Sequence, residues 1–109
     1  MINLSKRLLE IFKDYIVEDK RYAESYLIKT SLRHSGALMW ATSGGVSIAD
    51  TILYDGNIIV YCNSSVYNNS YEAGKKLCEL MKLDFSKFEK TLKKDLIKYK
   101  IIKLNEDFL

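Results

Sequence analysis

The chain has 109 residues, the size of one domain and too short for two. Apolar residues make up 48% and charged residues 28%, which excludes intrinsic disorder; the absence of Pro and a Gly count of five exclude collagen-like chains and flexible linkers. Lys plus Arg stand at 17 against 14 for Asp plus Glu, a net charge of +3 that selects no partner by itself.

Residues 4–16 place Leu4, Leu8, Leu9, Ile11, Phe12, Tyr15 and Ile16 at helical spacing, with Lys6, Arg7, Lys13 and Asp14 on the other side. This predicts an amphipathic helix capped by Asn3 or Ser5. Val17-Glu18-Asp19 breaks the pattern. Asp19 then reads as the N-cap of a second helix over residues 20–33, with Tyr22, Ala23, Tyr26, Leu27 and Thr30 on one side. His34-Ser35-Gly36 closes that helix, where Gly36 is free to turn left-handed and the imidazole meets the helix C-terminus.

Ala37-Leu38-Met39-Trp40-Ala41 is a short apolar run bounded by Gly36 and by Ser43-Gly44-Gly45, and it reads as a buried strand. Strands over 46–54 and 57–62 flank Asp55-Gly56, a strong hairpin signal. A two-residue turn there pairs Leu53 with Ile58, Thr51 with Val60 and Ala49 with Cys62 on one face. The other face pairs Ile52 with Ile59 and Asp50 with Tyr61. Cys62 and Val60 are placed on the core face. Ile52, Ile59 and Tyr61 then need a cover on the second face, which offers a route to a homodimer or larger homo-oligomer, and Ile52→Asp would test it.

Residues 63–70 read as a polar loop. Asn69 and Glu72 make a capping-box pattern, opening a third helix that runs to about Leu83 with Tyr71, Leu77, Cys78 and Met81 inward. Asp84-Phe85 interrupts it. Ser86-Lys87-Phe88-Glu89 is a full S-x-x-E box and opens a fourth helix, with Phe88, Leu92, Leu96 and Tyr99 as its apolar stripe. Residues 99–104 fit either continued helix or an edge strand. The fold class expected is α+β, in the order α-α-β-β-β-α-α. It is a three-stranded antiparallel meander flanked by an N-terminal and a C-terminal helical pair, in one compact domain over residues 1–109. Double-stranded-RNA-binding domains share the order α-β-β-β-α. Their phosphate-gripping basic cluster is replaced here by Asn68-Asn69-Ser70-Tyr71-Glu72, so no resemblance is drawn.

No residue set has the spacing of a reactive or metal centre. Two cysteines, Cys62 and Cys78, and the single His34 do not make a zinc pattern. Cys62, His34 and Asp50 would serve as nucleophile, base and orienting acid only if the fold gathered them, and a core-facing Cys62 reads as an inert thiol. Asp55 belongs to the turn and Glu72 to a helix cap. Ser43-Gly44-Gly45 lacks the Lys-Ser/Thr of a phosphate-binding loop. No catalytic residue, cofactor or metal ligand is expected, and the chain is read as not an enzyme.

The charge is unevenly spread. Residues 1–74 are net −1, whereas residues 75–103 carry ten Lys against four acids, net +6. Lys87, Lys90, Lys94 and Lys98 fall in one stripe of the fourth helix. Such a row neutralises phosphates without reading sequence, and it equally solvates the outer side of an amphipathic helix. Trp40, Tyr61, Tyr67 and Tyr71 are the aromatic residues expected at a protein interface, where Trp and Tyr are enriched. The expected function is a small non-catalytic binding protein that docks on a larger protein partner as regulator, inhibitor or subunit. The alternative is a nucleic-acid-binding protein that uses the Lys stripe. With no secretory apolar region and no apolar run near 18 residues, no membrane partner is expected and the chain is read as cytoplasmic with reduced thiols. Its richness in Lys, Ile, Asn and Tyr fits an AT-rich coding genome, such as a mobile element or virus.

Overall fold

A computed structural model describes residues 3–107 of the chain, with side chains over 3–98. It is α+β, as expected, but the meander and the 2+2 helices are not what forms. The order is α1 (Leu4–Ile11), β1 (Ile16–Glu18), β2 (Ser25–Ile28), β3 (Arg33–Ser35), β4 (Met39–Thr42), β5 (Gly45–Asp55), β6 (Ile58–Tyr67), α2 (Ser70–Met81) and α3 (Ser86–Asp107). Among the described residues, the strands form one six-stranded mixed sheet in the order β1-β2-β4-β5-β6-β3. Its neighbours are antiparallel except β3, which runs parallel to β6. Among the described residues, no helix is long and apolar enough to cross a membrane.

The first helix is shorter than its periodicity predicts. Asn3 caps it, its side-chain oxygen accepting from the Ser5 N–H at 2.8 Å and the Ser5 hydroxyl at 2.6 Å. It stops at Ile11 because the Phe12 carbonyl takes the N–H groups of both Tyr15 and Ile16 in a tight turn. The β-branched pair Ile16-Val17 then enters β1, where such side chains fit best.

The predicted helix over 20–33 is replaced by β2 and β3. Asp19 does not cap a helix; its carboxylate accepts from the Arg21 N–H and guanidinium in a turn between β1 and β2. His34-Ser35 does not end a helix either but lies in β3, beside Ile59 and Val60. The cause is burial on both faces of β2. Ser25, Tyr26 and Leu27 are all buried in succession, so no period of two is visible.

The β5–β6 hairpin forms, with a register offset from the expected one. Its loop is Gly56-Asn57, flanked by the pair Asp55 and Ile58, and it sets Leu53 opposite Val60, Thr51 opposite Cys62 and Ile52 opposite Tyr61. Gly56 has φ +61° at the first loop position, while Asn57 is not in that region, the pattern of a Gly-first hairpin turn rather than an Asp-Gly one. The offset is two residues, so every side chain keeps its expected face. Which face is buried is reversed. Val46, Ile48 and Ile59 are fully buried on the face of Ile52 and Tyr61, whereas Leu53, across from Val60, is 54% exposed. Cys62 and Val60 therefore lie on the outer face. The cover expected for Ile52, Ile59 and Tyr61 comes from within the chain.

Strand β6 continues to Tyr67 through the segment predicted as a polar loop. Asn69 then caps α2, accepting the Glu72 N–H at 2.9 Å, and Lys82 in the left-handed region ends it two residues before Asp84. Asp84, not Ser86, caps the next turn, accepting from the Ser86 N–H and hydroxyl. The third helix runs unbroken to Asp107, so residues 99–104 are helical; the Tyr99 side chain lies outside the described ones.

The core packs Leu8 of α1, Phe12 just after it, and Ala73, Leu77 and Cys78 of α2 onto Ile16, Tyr26, Met39, Val46 and Ile48 of the sheet. Phe12 stacks on Phe88 of α3 at 4.7 Å between ring centroids. Gly74 lets α2 and α3 approach closely, since a Cβ there would lie 2.6 Å from a Leu92 methyl carbon.

Candidate interaction surface

Gly56 to Tyr71 contains no charged residue, sixteen positions in a chain that is 28% charged. This stretch builds β6 and its approach to α2. On the outer face of the sheet, Trp40 stands opposite Ser47, and Ser47 opposite Val66. Leu53 and Val60 form a second apolar pair nearer the hairpin tip, separated from that row by the pairs Ala49–Ser64 and Thr51–Cys62. Val66 is 67% exposed and Val60 and Cys62 are half-buried, while Ser47 and Ala49 on the same face are buried.

The four predicted aromatics are not brought together. Trp40 is half-buried on the outer face. Tyr67 is half-buried against the core, and burial pushes its phenol above the ordinary value. Tyr71 is half-buried and meets Phe85 edge to face at 5.7 Å. Tyr61 points inward and its phenol is pushed up to about 12, chiefly by burial. Sequence reasoning does not mark Leu53 and Val66 as exposed apolar residues. The alternation of the hairpin marked both faces as partly apolar, and only the position of the helices decides between them.

The Lys stripe exists as a surface. Lys87, Lys90, Lys94 and Lys98 are all exposed on α3, opposite the side that packs Phe88 and buries Leu92. They span about 16 Å of helix. Lys93, off the stripe, pairs with Glu89 at 2.9 Å.

Asp95 does not dilute the stripe, because it faces inward. Its side chain is 12% exposed, and its two oxygens accept from the Arg7 guanidinium at 2.7 and 3.1 Å. It also accepts from the Ser70 hydroxyl at 3.3 Å. The paired charge holds the guanidinium well above its ordinary range. A hollow of about 570 Å³ opens beside this clasp, lined by Arg7, Gly44, Asn69, Ser70, Asp95 and Lys98 among others. It has the form of an anion site, with cations and a helix start. Asp95 already supplies the anion there, so the arrangement ties α1 to the start of α2 and to α3.

Cys62, His34 and Asp50 are placed apart. Cys62 is on the outer face and His34, level with Ile59, on the inner one. Asp50 accepts from the Ser65 hydroxyl at 2.6 Å, and His34 is bonded to Tyr61. The other thiol, Cys78, is buried, and burial pushes it up to about 11. Among the described residues, no three His, Cys, Asp or Glu side chains converge as a metal site would need. Compared with known proteins, the chain matches no protein-family model, no curated sequence and no solved structure.

Proposed function

We propose that this chain is a small non-catalytic binding protein that docks on a larger protein as regulator, inhibitor or subunit. The observation that carries this reading is the exposure of Leu53 and Val66 on the outer face of the hairpin, the face that also holds the half-buried Val60, Cys62 and Trp40. Taking each exposed aliphatic side chain from water contributes on the order of 1 kcal/mol to association. The lack of charge in β6 suits such a surface, since interface centres are depleted of charge. The test is capture from the native host with nuclease present. A protein retained by the wild type and lost with the folded Leu53→Lys/Val66→Lys variant supports the reading. The same protein retained by the variant overturns it.

A second reading rests on the exposed Lys stripe, whose four ammonium groups would neutralise successive phosphates of a nucleic acid.

A further inference from the structure

We propose that two copies of this chain pair through the free edge of β6. The strand runs from Ile58 to Tyr67, but β3 covers only Ile58 to Val60. From Tyr61 onward β6 has β5 as its only strand partner among the described residues. Asn63, with φ +57°, interrupts the ladder opposite Asp50, and Ser64-Ser65-Val66-Tyr67 resumes it in the same register. The first three of these residues are exposed.

A free edge presents unpaired N–H and C=O groups to any extended chain, and folded proteins usually guard it with charge. The other free edges here carry such guards. β1 holds Glu18, with Asp14 before it and Asp19 and Lys20 after. β3 holds Arg33. The part of β5 that extends past β4 holds Asp50 and Asp55. The β6 edge has no charged residue of its own, lying within the uncharged stretch from Gly56 to Tyr71; the charge nearest to it is Asp50 on the far side, in β5, which accepts from the Ser65 hydroxyl.

Neutrality selects a second copy over a foreign strand. When an edge pairs with itself about a two-fold axis, residues near the axis face their own counterparts, and any charge there meets its like. An edge shaped for a different strand would gain from a charge facing an opposite one. Ser64, midway along the free stretch from Tyr61 to Tyr67, and Ser65 beside it are small enough for two backbones to approach. Two-fold antiparallel pairing also closes at two and continues the sheet, so the outer faces of both copies join side by side. This pairing uses the strand edge, not the outer face, and stands independently of the docking reading.

The test is sedimentation equilibrium of the full chain, a 12.6 kDa monomer, from about 1 to about 200 μM. The expected result is a mass that doubles with concentration and rises no further. Ser64→Lys places two ammonium groups across the axis and is expected to weaken pairing on the order of tenfold or more; Ser64→Ala is expected to pair as the wild type does. Amide exchange at residues 64–67 of the unaltered protein should slow as concentration rises, a readout that needs no variant. A monomer throughout the range overturns the proposal. So does a dimer that the folded Ser64→Lys variant keeps intact but Leu53→Lys dissolves, which would put the contact on the outer face. Loss of pairing with partner capture retained would leave the docking reading standing alone.

Discussion

The Nδ1 atom of His34 lies 2.9 Å from the phenolic oxygen of Tyr61, and the two rings stack 7° from parallel with centroids 5.9 Å apart. The same oxygen accepts the Ile28 N–H at 3.1 Å. With His34 in its Nε2–H tautomer, the Tyr61 hydroxyl donates to Nδ1 while it accepts from Ile28. One hydroxyl thus joins β2, β6 and β3, drawing the two ends of the sheet into a curl. Arg21 reinforces the closure, donating to the carbonyl oxygens of His34 and Gly36 while paired with Asp19.

Tyr61→Phe keeps the ring and removes that junction. It leaves the Ile28 N–H and the His34 nitrogen without their partner in a half-buried place. The expected cost is about 1–3 kcal/mol, read as a lower urea midpoint at unchanged slope. A variant as stable as the wild type would show that the hydroxyl does not hold the curl.

The same junction sets a pH dependence. Burial holds His34 below its ordinary value of 6.5, the Arg21 charge adds to this, and Asp19 opposes it. The folded state therefore prefers the neutral ring. Stability from this residue is full above about pH 6.5, falls as pH drops from there towards the lower folded value, and levels off beneath it. Asp19 is held below its ordinary 3.8 mainly by the Arg21 hydrogen bond, so its share is lost only as pH falls below about 4. Urea midpoints of the wild type and His34→Gln should accordingly converge or cross between about pH 7 and pH 5. A gap between them that does not vary over that range would remove His34 from the account.

Gly74 reverses the usual helix rule. In an exposed helix interior, Gly→Ala stabilises by about 1 kcal/mol. Here the added carbon would meet Leu92 side-chain carbons at 2.6 and 2.7 Å, and Leu92 is fully buried. Gly74→Ala is expected to destabilise by about 1–3 kcal/mol through overpacking of α2 against α3. Pairing it with Leu92→Val should recover part of that loss, and strict additivity of the two changes would count against the contact.

Local signals were legible in the sequence where one neighbour decides them. Asn69 before Glu72 marks a cap whether or not anything packs on the helix, and Gly44 and Gly56 mark turns through their own backbone freedom. The segment Tyr22 to Ser35 was not legible. Its apolar residues are compatible with a helix, and only burial of β2 on both sides, together with Glu24 at φ +55°, makes it a turn and strands. The parallel placement of His34 beside Ile59 joins residues 25 apart, and no local pattern announces it. Tyr61 looked like an interface residue because its type is common there; its bonds to Ile28 and His34 exist only after the sheet curls. The outer face stayed hidden for the converse reason. Leu53 and Val60 are as apolar as Ile52 and Ile59, and the choice between faces belongs to α1 and α2.

The Lys stripe separates the two functional readings. Lys87, Lys90, Lys94 and Lys98 lie away from the core, and replacing all four by Gln should change stability by less than about 0.5 kcal/mol. If the protein docks on a protein partner, the fourfold variant captures that partner as the wild type does, and nuclease leaves capture intact. If it binds nucleic acid, the wild type is retained on DNA or RNA at low salt and the variant is not. The slope of log affinity against log salt then shrinks by about three to four units, close to one for each phosphate no longer neutralised. The expected outcome is the first. Four charges on the solvated side of a helix are accounted for by solvation, whereas the proposed docking on a protein would cover Leu53 and Val66, which stand in water.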